Sequence, residues 1–282
     1  MVKVVYEDNH VLVAVKPPNM LSQADDTKDS DILSELKEYI RIKYNKPGNV
    51  YLGLVHRLDR PVGGLMVFAR TSKAAARLSA QVREHAMGRE YLCVAEGGVK
   101  DKFTLINFLM DNKRMNRVVV CDADEPGAQE AILHGRCLSQ RGGTSLCALR
   151  LETGRKHQIR VQMKELGHPL WGDHRYGNAL AGQQIALWCY RLTFDHPTTH
   201  REMTFQELPC GSIWNSYAME LTDMAIRFQQ SAAEILRKEQ EEAAKEADKP
   251  RRFPAFLHRR EERQEAAGDT DLPQESDGGT TE

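Results

Sequence analysis

The sequence lacks the patterns on which nucleotide- and metal-dependent enzymes usually rely. It contains no Gly-x-x-x-x-Gly-Lys-Ser/Thr loop, no Gly-x-Gly-x-x-Gly, no Gly-x-Ser-x-Gly and no His-Glu-x-x-His. Its six cysteines include no Cys-x-x-Cys pair, and no cluster of cysteines and histidines has the spacing of a zinc site. We therefore expect neither a metal nor a nucleotide cofactor.

Long apolar runs and a secretory leader are missing as well. No segment approaches the ~20 apolar residues needed to cross a bilayer, and charged residues interrupt the valines of the first ten residues. Scattered cysteines suit a reducing compartment, where thiols stay free. The sequence thus predicts a cytoplasmic protein that does not cross a membrane.

Charge is unevenly distributed along the 282 residues, although the net charge is only −1. Residues 231–282 hold nine basic and fourteen acidic side chains, so the preceding part of the chain carries a net charge of +4. A mildly basic body is compatible with a polyanionic partner. We predict one folded domain over residues 1–230, followed over residues 231–282 by a charged helical extension with a disordered acidic tail.

Apolar periodicity predicts strands with helices interspersed among them. Because most predicted strands pair with near neighbours, the pattern favours an α+β fold with a mixed, mainly antiparallel central sheet and flanking helices. Ser30 and Ser72 are the expected N-caps of the first two helices. The predicted strands cover residues 2–6, 11–15, 51–55, 65–69, 89–96, 118–121, 129–139, 144–151, 185–194 and 201–208. The predicted helices cover residues 32–40, 72–84, 158–166, 213–228 and 232–247.

One acidic residue stands out within Val55-His56-Arg57-Leu58-Asp59-Arg60-Pro61-Val62-Gly63-Gly64. Asp59 lies between two arginines, just before a turn rich in proline and glycine. A carboxylate can attack an electrophilic carbon when it is ionised, and a nearby guanidinium lowers its pKa. An aspartate that caps a turn or pairs with a surface arginine is the commoner explanation of such a pattern, and these residues alone leave both readings open.

A second charged cluster, Gly154-Arg155-Lys156-His157-Gln158-Ile159-Arg160, follows later in the chain. Arg155 and Arg160 cannot share one narrow helix face, so one can face a phosphate while the other points inward. An inward arginine needs a partner, for which Asp59 is a candidate; a solvated basic turn is the alternative. Tyr91, in the middle of a predicted strand, is either a core aromatic or a ring that stacks on a base and relays a proton.

These pieces, in this order, resemble the RluA-type family of RNA pseudouridine synthases. The family's His-Arg-Leu-Asp stands at residues 56–59, its Lys/Arg-x-Tyr at residues 89–91 and its Gly-Arg-x-His-Gln-Ile/Leu-Arg at residues 154–160. Matching later segments are Gly167-His168-Pro169-Leu170-Trp171-Gly172-Asp173, Tyr176-Gly177, Leu187 and Phe194-Asp195-His196-Pro197. The resemblance covers roughly residues 1–210.

The resemblance implies the pseudouridine synthase fold with a central RNA-binding cleft. It makes Asp59 the nucleophile that frees the uracil base of a target uridine. The freed base then rejoins the ribose through its C5. It makes Arg160 the salt-bridge partner of Asp59, and Tyr91 the residue that stacks on the target base and helps to remove the C5 proton. Expected substrate-binding residues are Arg57, Arg155, His157, Gln158 and Leu187.

The implied reaction is redox-neutral and exchanges one glycosidic bond for another, so it requires no cofactor. The implied partner is structured RNA, with ribosomal RNA favoured over transfer RNA, and we expect a monomer. A non-catalytic RNA-binding or ribosome-assembly protein on the same fold is the alternative. A glycosidase-like hydrolase would need a second carboxylate, for which Glu152 is the nearest candidate.

Two features depart from the family pattern. Val62-Gly63-Gly64 stands where Thr-Ser-Gly is usual, so the turn glycine is kept while hydroxyl contacts to RNA are lost. The chain also begins close to the first predicted strand, so we expect no S4-type N-terminal domain. RNA selection would then rest on the catalytic domain and on the C-terminal extension, which has no family counterpart.

Overall fold

The computed structural model describes residues 2–247. The predicted acidic tail lies outside these residues. The chain divides into two compact units, residues 1–229 and residues 230–282. All elements that bear on the site belong to the first unit.

An eleven-stranded sheet forms the centre of the first unit. The strands follow the order β1-β2-β4-β10-β5-β9-β8-β6-β7, with β11 paired to β10 and β3 paired to β4. Among the described strands, β4 and β10 form the one parallel pair, so the predicted α+β class with a mixed, mainly antiparallel sheet is confirmed. The strands are β1 Lys3–Glu7, β2 Val11–Lys16, β3 Gly53–Leu54, β4 Gly63–Ala69, β5 Gly88–Glu96, β6 Lys102–Asn112, β7 Arg117–Cys121, β8 Gln129–Arg141, β9 Thr144–Leu151, β10 Leu187–Asp195 and β11 Glu202–Gln206.

The described residues also form four α-helices. They are α1 Ile32–Lys43, α2 Ser72–Arg83, α3 Gln158–Glu165 and α4 Ala218–Ala247, the last preceded by a 3-10 helix at Ser212–Tyr217. Both predicted caps are wrong by one residue. The Asp31 carboxylate accepts the Ser34 N–H at 2.9 Å, and the Thr71 hydroxyl accepts the Ala74 N–H at 3.1 Å, so these residues start α1 and α2.

Side chains of β5 alternate between two faces of the sheet. We call the face that carries Tyr91 the front face and the face that carries Glu90 and Leu92 the back face. Tyr91 belongs to the main apolar core, together with residues of β2, β4 and β9. On the back face, Leu92 packs in a second core that is covered by Trp214 and Tyr217.

The main differences between the observed strands and the sequence prediction concern β6 and β3. β6 was not predicted, because its apolar residues fall on both faces: Phe103 and Leu105 pack on the main core, whereas Ile106 is exposed. β3 is limited to Gly53–Leu54, shorter than the predicted residues 51–55, because the chain leaves the sheet there and enters the loop that carries Asp59.

Candidate active site

The loop that carries Asp59 is fixed on both sides of the carboxylate. Before it, the Leu58 N–H donates to the Ser22 hydroxyl at 3.1 Å, and that hydroxyl donates to the Leu58 carbonyl at 2.7 Å. After it, the Arg60 carbonyl accepts a hydrogen bond from Nζ of Lys16 at 3.0 Å. These bonds hold the backbone of Asp59 in place, so its side chain projects from a defined point.

Lys16 is a fully buried cation at the end of β2. Its Nζ also donates to the carbonyls of Pro17 at 3.1 Å and Met20 at 2.7 Å, so three carbonyls surround one ammonium group. Burial lowers the pKa of Lys16 to about 7, while the negative charge of Asp59 opposes that shift. Lys16 therefore ties the segment that follows β2 to the loop that carries Asp59.

The unusual Val62-Gly63-Gly64 segment lies at the parallel junction of β4 and β10. Gly63 faces Trp188 and Gly64 faces Cys189. A Cβ on Gly63 would collide with the Trp188 ring, and a Cβ on Gly64, whose φ is 124°, would collide with the Cys189 backbone. In this chain the glycine at position 63 accommodates a tryptophan where the family pattern has a serine.

Arg160 connects Asp59 to a second carboxylate. Its Nη1 donates to Asp59 Oδ2 at 3.2 Å, the contact expected from the sequence. Its Nε and Nη2 form the stronger, bidentate pair with Asp173, at 2.8 and 2.7 Å. Asp173 is fully buried and also accepts the N–H groups of Arg175 and Tyr176. Asp173 thus fixes the orientation of the guanidinium, and the remaining nitrogen, Nη1, contacts Asp59.

The charges of this network reinforce one another. Burial by itself would raise the pKa of Asp173, but the hydrogen bonds and charge of Arg160 hold it below its usual value. Burial would likewise lower the pKa of Arg160, but Asp173 and Asp59 together raise it. Both groups therefore stay ionised at neutral pH, and Asp59 faces a permanent positive charge.

His157 also lies close to Asp59. Its Nε2 lies 3.7 Å from Asp59 Oδ2, and its Nδ1 is 2.8 Å from the Tyr176 hydroxyl, which accepts the Val118 N–H. Its backbone is left-handed (φ 55°), a conformation that costs about 1 kcal/mol or more for a residue with a side chain. Burial, with the charges of Arg160 and its neighbours, lowers the pKa of His157 in spite of Asp59. The ring is therefore mainly neutral near pH 7.

The site residues expected from the sequence meet in one pocket on the front face. Asp59 and Arg160 stand on one side, while Tyr91 on β5 and Leu187 at the start of β10 are both nearly buried. Burial, followed by the neighbouring Cys189, raises the pKa of Tyr91, so its hydroxyl keeps its proton at neutral pH. The other expected residues that line this pocket are Arg57, Arg155, His157 and Gln158.

Those lining residues are not equivalent. Arg57 is exposed and, among the described residues, its guanidinium has no hydrogen bond or ion pair, while Nε of Arg155 donates to the Glu130 carbonyl at 2.9 Å. Gln158 is only 2% exposed, and its amide bonds the Thr153 hydroxyl, the Arg155 N–H and the Ile132 carbonyl. The geometry shows Gln158 bracing the turn before α3, and its contact with RNA stays a prediction.

A wider cleft of about 760 Å³ opens next to Asp59. Besides Asp59, His157 and Arg160, its walls carry the guanidinium groups of Arg60, Arg117 and Arg175. A positive cleft beside a carboxylate suits a polyanionic strand that must be held by its phosphates while one base enters the pocket.

Comparison with known proteins identifies the family. The sequence model of the RNA pseudouridylate synthases matches residues 10–165, more than half of the chain, and this span includes Asp59, Tyr91 and Arg160. The chain belongs to the RNA pseudouridylate synthase family. The expected family is thereby confirmed, and RNA is the substrate class on which such synthases act.

Individual relatives agree with this assignment. The chain is 32% identical over 220 residues to the ribosomal large subunit pseudouridine synthase D of Zymomonas mobilis, covering 73% of this chain and 69% of the relative. It is 34% identical over 215 residues to an uncharacterized RNA pseudouridine synthase of Bacillus subtilis, covering 73% and 68%. Against the synthase D of Pseudomonas aeruginosa it is 32% identical over 230 residues, covering 75% and 70%.

Solved structures support the fold of this synthase. The human RNA pseudouridylate synthase domain containing 4 superimposes with a TM-score of 0.62 at 20% identity, over 73% of this chain and 88% of that one. The human RNA pseudouridylate synthase domain containing 1 gives a TM-score of 0.57 at 19% identity, over 79% and 95%. The sheet and helices described above are therefore the pseudouridine synthase fold.

Three contributors to the site of this synthase were not assigned from the sequence: Lys16, Asp173 and Arg89. Asp173 stands inside a recognised family segment, but only the structure shows that it holds Arg160. Lys16 offered a weaker signal, a lysine that ends an otherwise apolar strand before two prolines. Arg89 lines the pocket and is nearly buried, yet within residues 2–247 its guanidinium has no hydrogen bond or ion pair.

Two classes of feature are absent from residues 2–247. No group of three or more His, Cys, Asp or Glu side chains is arranged to hold a metal ion. None of the helices in this part of the chain is long and apolar enough to span a bilayer.

Proposed function

We propose that this protein isomerises specific uridines of ribosomal RNA to pseudouridine, with Asp59 as the nucleophile. The observation that carries the proposal is the contact of Asp59 with Arg160, which is itself fixed by the buried Asp173. A carboxylate held at a fixed point beside a permanent positive charge suits covalent catalysis. Tyr91 and Leu187, in the same pocket, supply the aromatic and apolar walls that an unstacked base needs.

The chemistry then follows from the position of each group. A covalent intermediate with Asp59 allows the N1–C1′ bond of the uridine to break while the base stays in the pocket. After the base rotates, C5 bonds to C1′ and the bond to Asp59 breaks, which returns the free carboxylate. The proton on C5 leaves and N1 takes up a proton, so no electrons are gained or lost. The protonated hydroxyl of Tyr91 serves as a relay for the C5 proton, because it can accept a proton as it releases its own.

Ribosomal RNA is the proposed substrate because relatives from Zymomonas and Pseudomonas at 32% identity are named large subunit pseudouridine synthases. Transfer RNA is the competing substrate. The proposal includes action as a monomer in the cytoplasm without a nucleotide cofactor. The six cysteines, none of them in a disulfide, agree with a reducing compartment.

The test is to map pseudouridines across total RNA from cells with and without this gene, and after the gene has been restored. We expect one or more sites in large-subunit ribosomal RNA to disappear and to return with the gene. An unchanged map would refute the activity, whereas changes confined to transfer RNA would refute the proposed substrate.

A further inference from the structure

A groove of about 550 Å³ lies on the back face of the sheet, away from the pocket that holds Asp59. We propose that this groove is a second RNA-binding surface, which takes the phosphate backbone of a segment that flanks the modified site. The proposal rests on the proposed function, because it assigns a further part of the same RNA substrate. The groove is lined by Glu90, Lys102, Phe103, Thr104, His134, Gly135, Arg136, Ala148, Leu149, Arg150 and Tyr190.

The pairing of the strands places three cations together on the groove. Lys102 of β6 lies directly opposite Arg136 of β8, and Arg136 lies opposite Ala148 of β9. Arg150, two residues beyond Ala148, is therefore a diagonal neighbour of Arg136 on the same face. Like charges directly opposite each other destabilise a sheet, so the pairing of Lys102 with Arg136 costs stability unless an anion lies between them.

The acidic groups near the groove are already engaged. Glu90 accepts the Tyr190 hydroxyl at 2.8 Å and lies 3.8 Å from a guanidinium nitrogen of Arg191. Glu152 lies 3.0 Å from Nε2 of His134. Within residues 2–247 neither carboxylate forms an ion pair with Lys102, Arg136 or Arg150.

Lys102, Arg136 and Arg150 are exposed, and within residues 2–247 none of their side chains forms an ion pair or a hydrogen bond. Many other surface cations do have a partner: Lys3 binds Glu207, and Lys156 binds Asp111. An unpaired, concave cluster is the electrostatic footprint expected for phosphate groups. Arginine is suited to this task because its guanidinium binds phosphate through two parallel hydrogen bonds.

The groove cannot be an extension of the catalytic pocket. Tyr91 lies opposite Leu149 of β9 and Cys189 of β10, and these side chains are on the front face. Glu90, the preceding residue of β5, lies opposite Arg150 and Arg191, and these side chains point to the back face. A short hairpin that places its uridine beside Asp59 cannot reach both faces, whereas a long folded RNA can pass around the edge of the sheet.

The experiment compares two charge-neutralised triple variants in the full chain. The groove variant carries Lys102→Gln, Arg136→Gln and Arg150→Gln. The matched control carries Lys46→Gln, Lys73→Gln and Arg83→Gln, which also removes three exposed cations without ion pairs inside the described range. The two probes are an unmodified transcript of large-subunit ribosomal RNA and a short hairpin around one mapped uridine.

On the long transcript, the groove variant should raise KM about tenfold and leave kcat unchanged. The slope of log Kobs against log salt should fall by about 2, since each lost phosphate contact removes roughly 0.7 to 0.9. On the short hairpin, both kinetic constants should match those of the wild type. The control variant should stay close to the wild type on both probes.

Equal KM and equal salt slope for the groove variant and the wild type would overturn the proposal, and would leave an acidic protein as the partner to seek. An equal loss in the control variant, or a loss on the short hairpin as well, would also overturn it. If neither RNA is modified even by the wild type, the proposed function fails, yet the salt slope of transcript binding still decides whether the groove holds RNA.

Discussion

Tyr91 and Glu90 are neighbours in β5, yet their side chains lie on two surfaces with opposite arrangements of charge. On the front face, Asp59, Arg160 and Asp173 form a connected and largely buried network. On the back face, Arg136 and Arg150 are exposed and, in the part of the chain that is described, unpaired. The paired charges fix the position of the proposed nucleophile, while the unpaired ones are free to meet a ligand.

This contrast predicts different losses from the two faces. Removing a buried charge from the network strands its partner in a medium of low dielectric constant, so stability and turnover should fall together. Removing an exposed charge leaves no stranded partner, so only salt-dependent binding should change. The predictions below test that difference, beginning with the largest effect.

Tyr91→Phe separates the ring of the front-face tyrosine from its hydroxyl. The ring should still stack on the target base, so RNA binding should change little. Loss of the proton relay should lower kcat by about 10²- to 10⁴-fold. The measurement is single-turnover formation of pseudouridine, together with RNA affinity. A variant with the wild-type rate would leave Tyr91 with a stacking role only.

Asp173→Asn removes the charge that holds Arg160 while keeping an oxygen for the Arg175 and Tyr176 N–H groups. Breaking a buried pair typically costs about 3 kcal/mol or more, because the other charge is left uncompensated. We expect a loss of that size in urea-induced unfolding, with lower turnover because the guanidinium is no longer oriented toward Asp59.

The exposed pair between Arg60 and Asp29 provides the control for that measurement. Both side chains are about half exposed (47% and 48%), so Asp29→Asn should cost less than about 1 kcal/mol. Equal costs for Asp173→Asn and Asp29→Asn would show that burial does not distinguish the front-face network from an ordinary surface pair.

Lys16→Met tests the buried cation beneath Asp59 through pH. The folded-state pKa of Lys16 is about 7 and its ordinary value is 10.5. Between these values the unfolded chain binds more protons than the folded chain, so stability should rise with pH, by up to ~1.4 kcal/mol per unit. The contribution is complete above the ordinary pKa and is lost as pH falls through about 7.

The free energy of unfolding, measured at several pH values in that window, should rise less steeply with pH in Lys16→Met than in the wild type. Lys73→Met, at an exposed lysine, is the control and should keep the wild-type slope. If the free energy of unfolding changes equally with pH in the wild type and in Lys16→Met, the three carbonyls that surround Nζ keep Lys16 charged throughout the window.

The groove variant of the back face should show the smallest effect. Its tenfold change in KM on long RNA corresponds to about 1.4 kcal/mol, with no change in kcat or in unfolding. A fall in kcat on the short hairpin would break the distinction between the two faces.

Much of this molecule could be predicted from local sequence. Apolar periodicity located ten of the strands, because strand patterning is a property of neighbouring residues. Ordered motifs identified the family and led to Asp59, Tyr91 and Arg160, which the fold brings into one pocket. The contact between Asp59 and Arg160, which are 101 positions apart, was predicted from the resemblance and from the need of an inward arginine for a partner.

What the sequence could not supply depends on contacts between distant segments. Arg160 has two carboxylates within reach, and only the three-dimensional arrangement gives the bidentate bond to Asp173. The burial of Lys16 depends on two carbonyls from the segment that follows it and on a third from the distant loop that carries Asp59. Gly63 is explained by Trp188 across the parallel junction, and β6 escaped prediction because both of its faces carry apolar residues.

The central claim is that the carboxylate of Asp59, oriented by Arg160, performs the chemistry. Its most direct test is single-turnover formation of pseudouridine by purified Asp59→Asn, with the enzyme in excess over a mapped RNA site. We predict no detectable product, while RNA affinity and the unfolding transition stay close to those of the wild type. Product formed at the wild-type rate would contradict the claim.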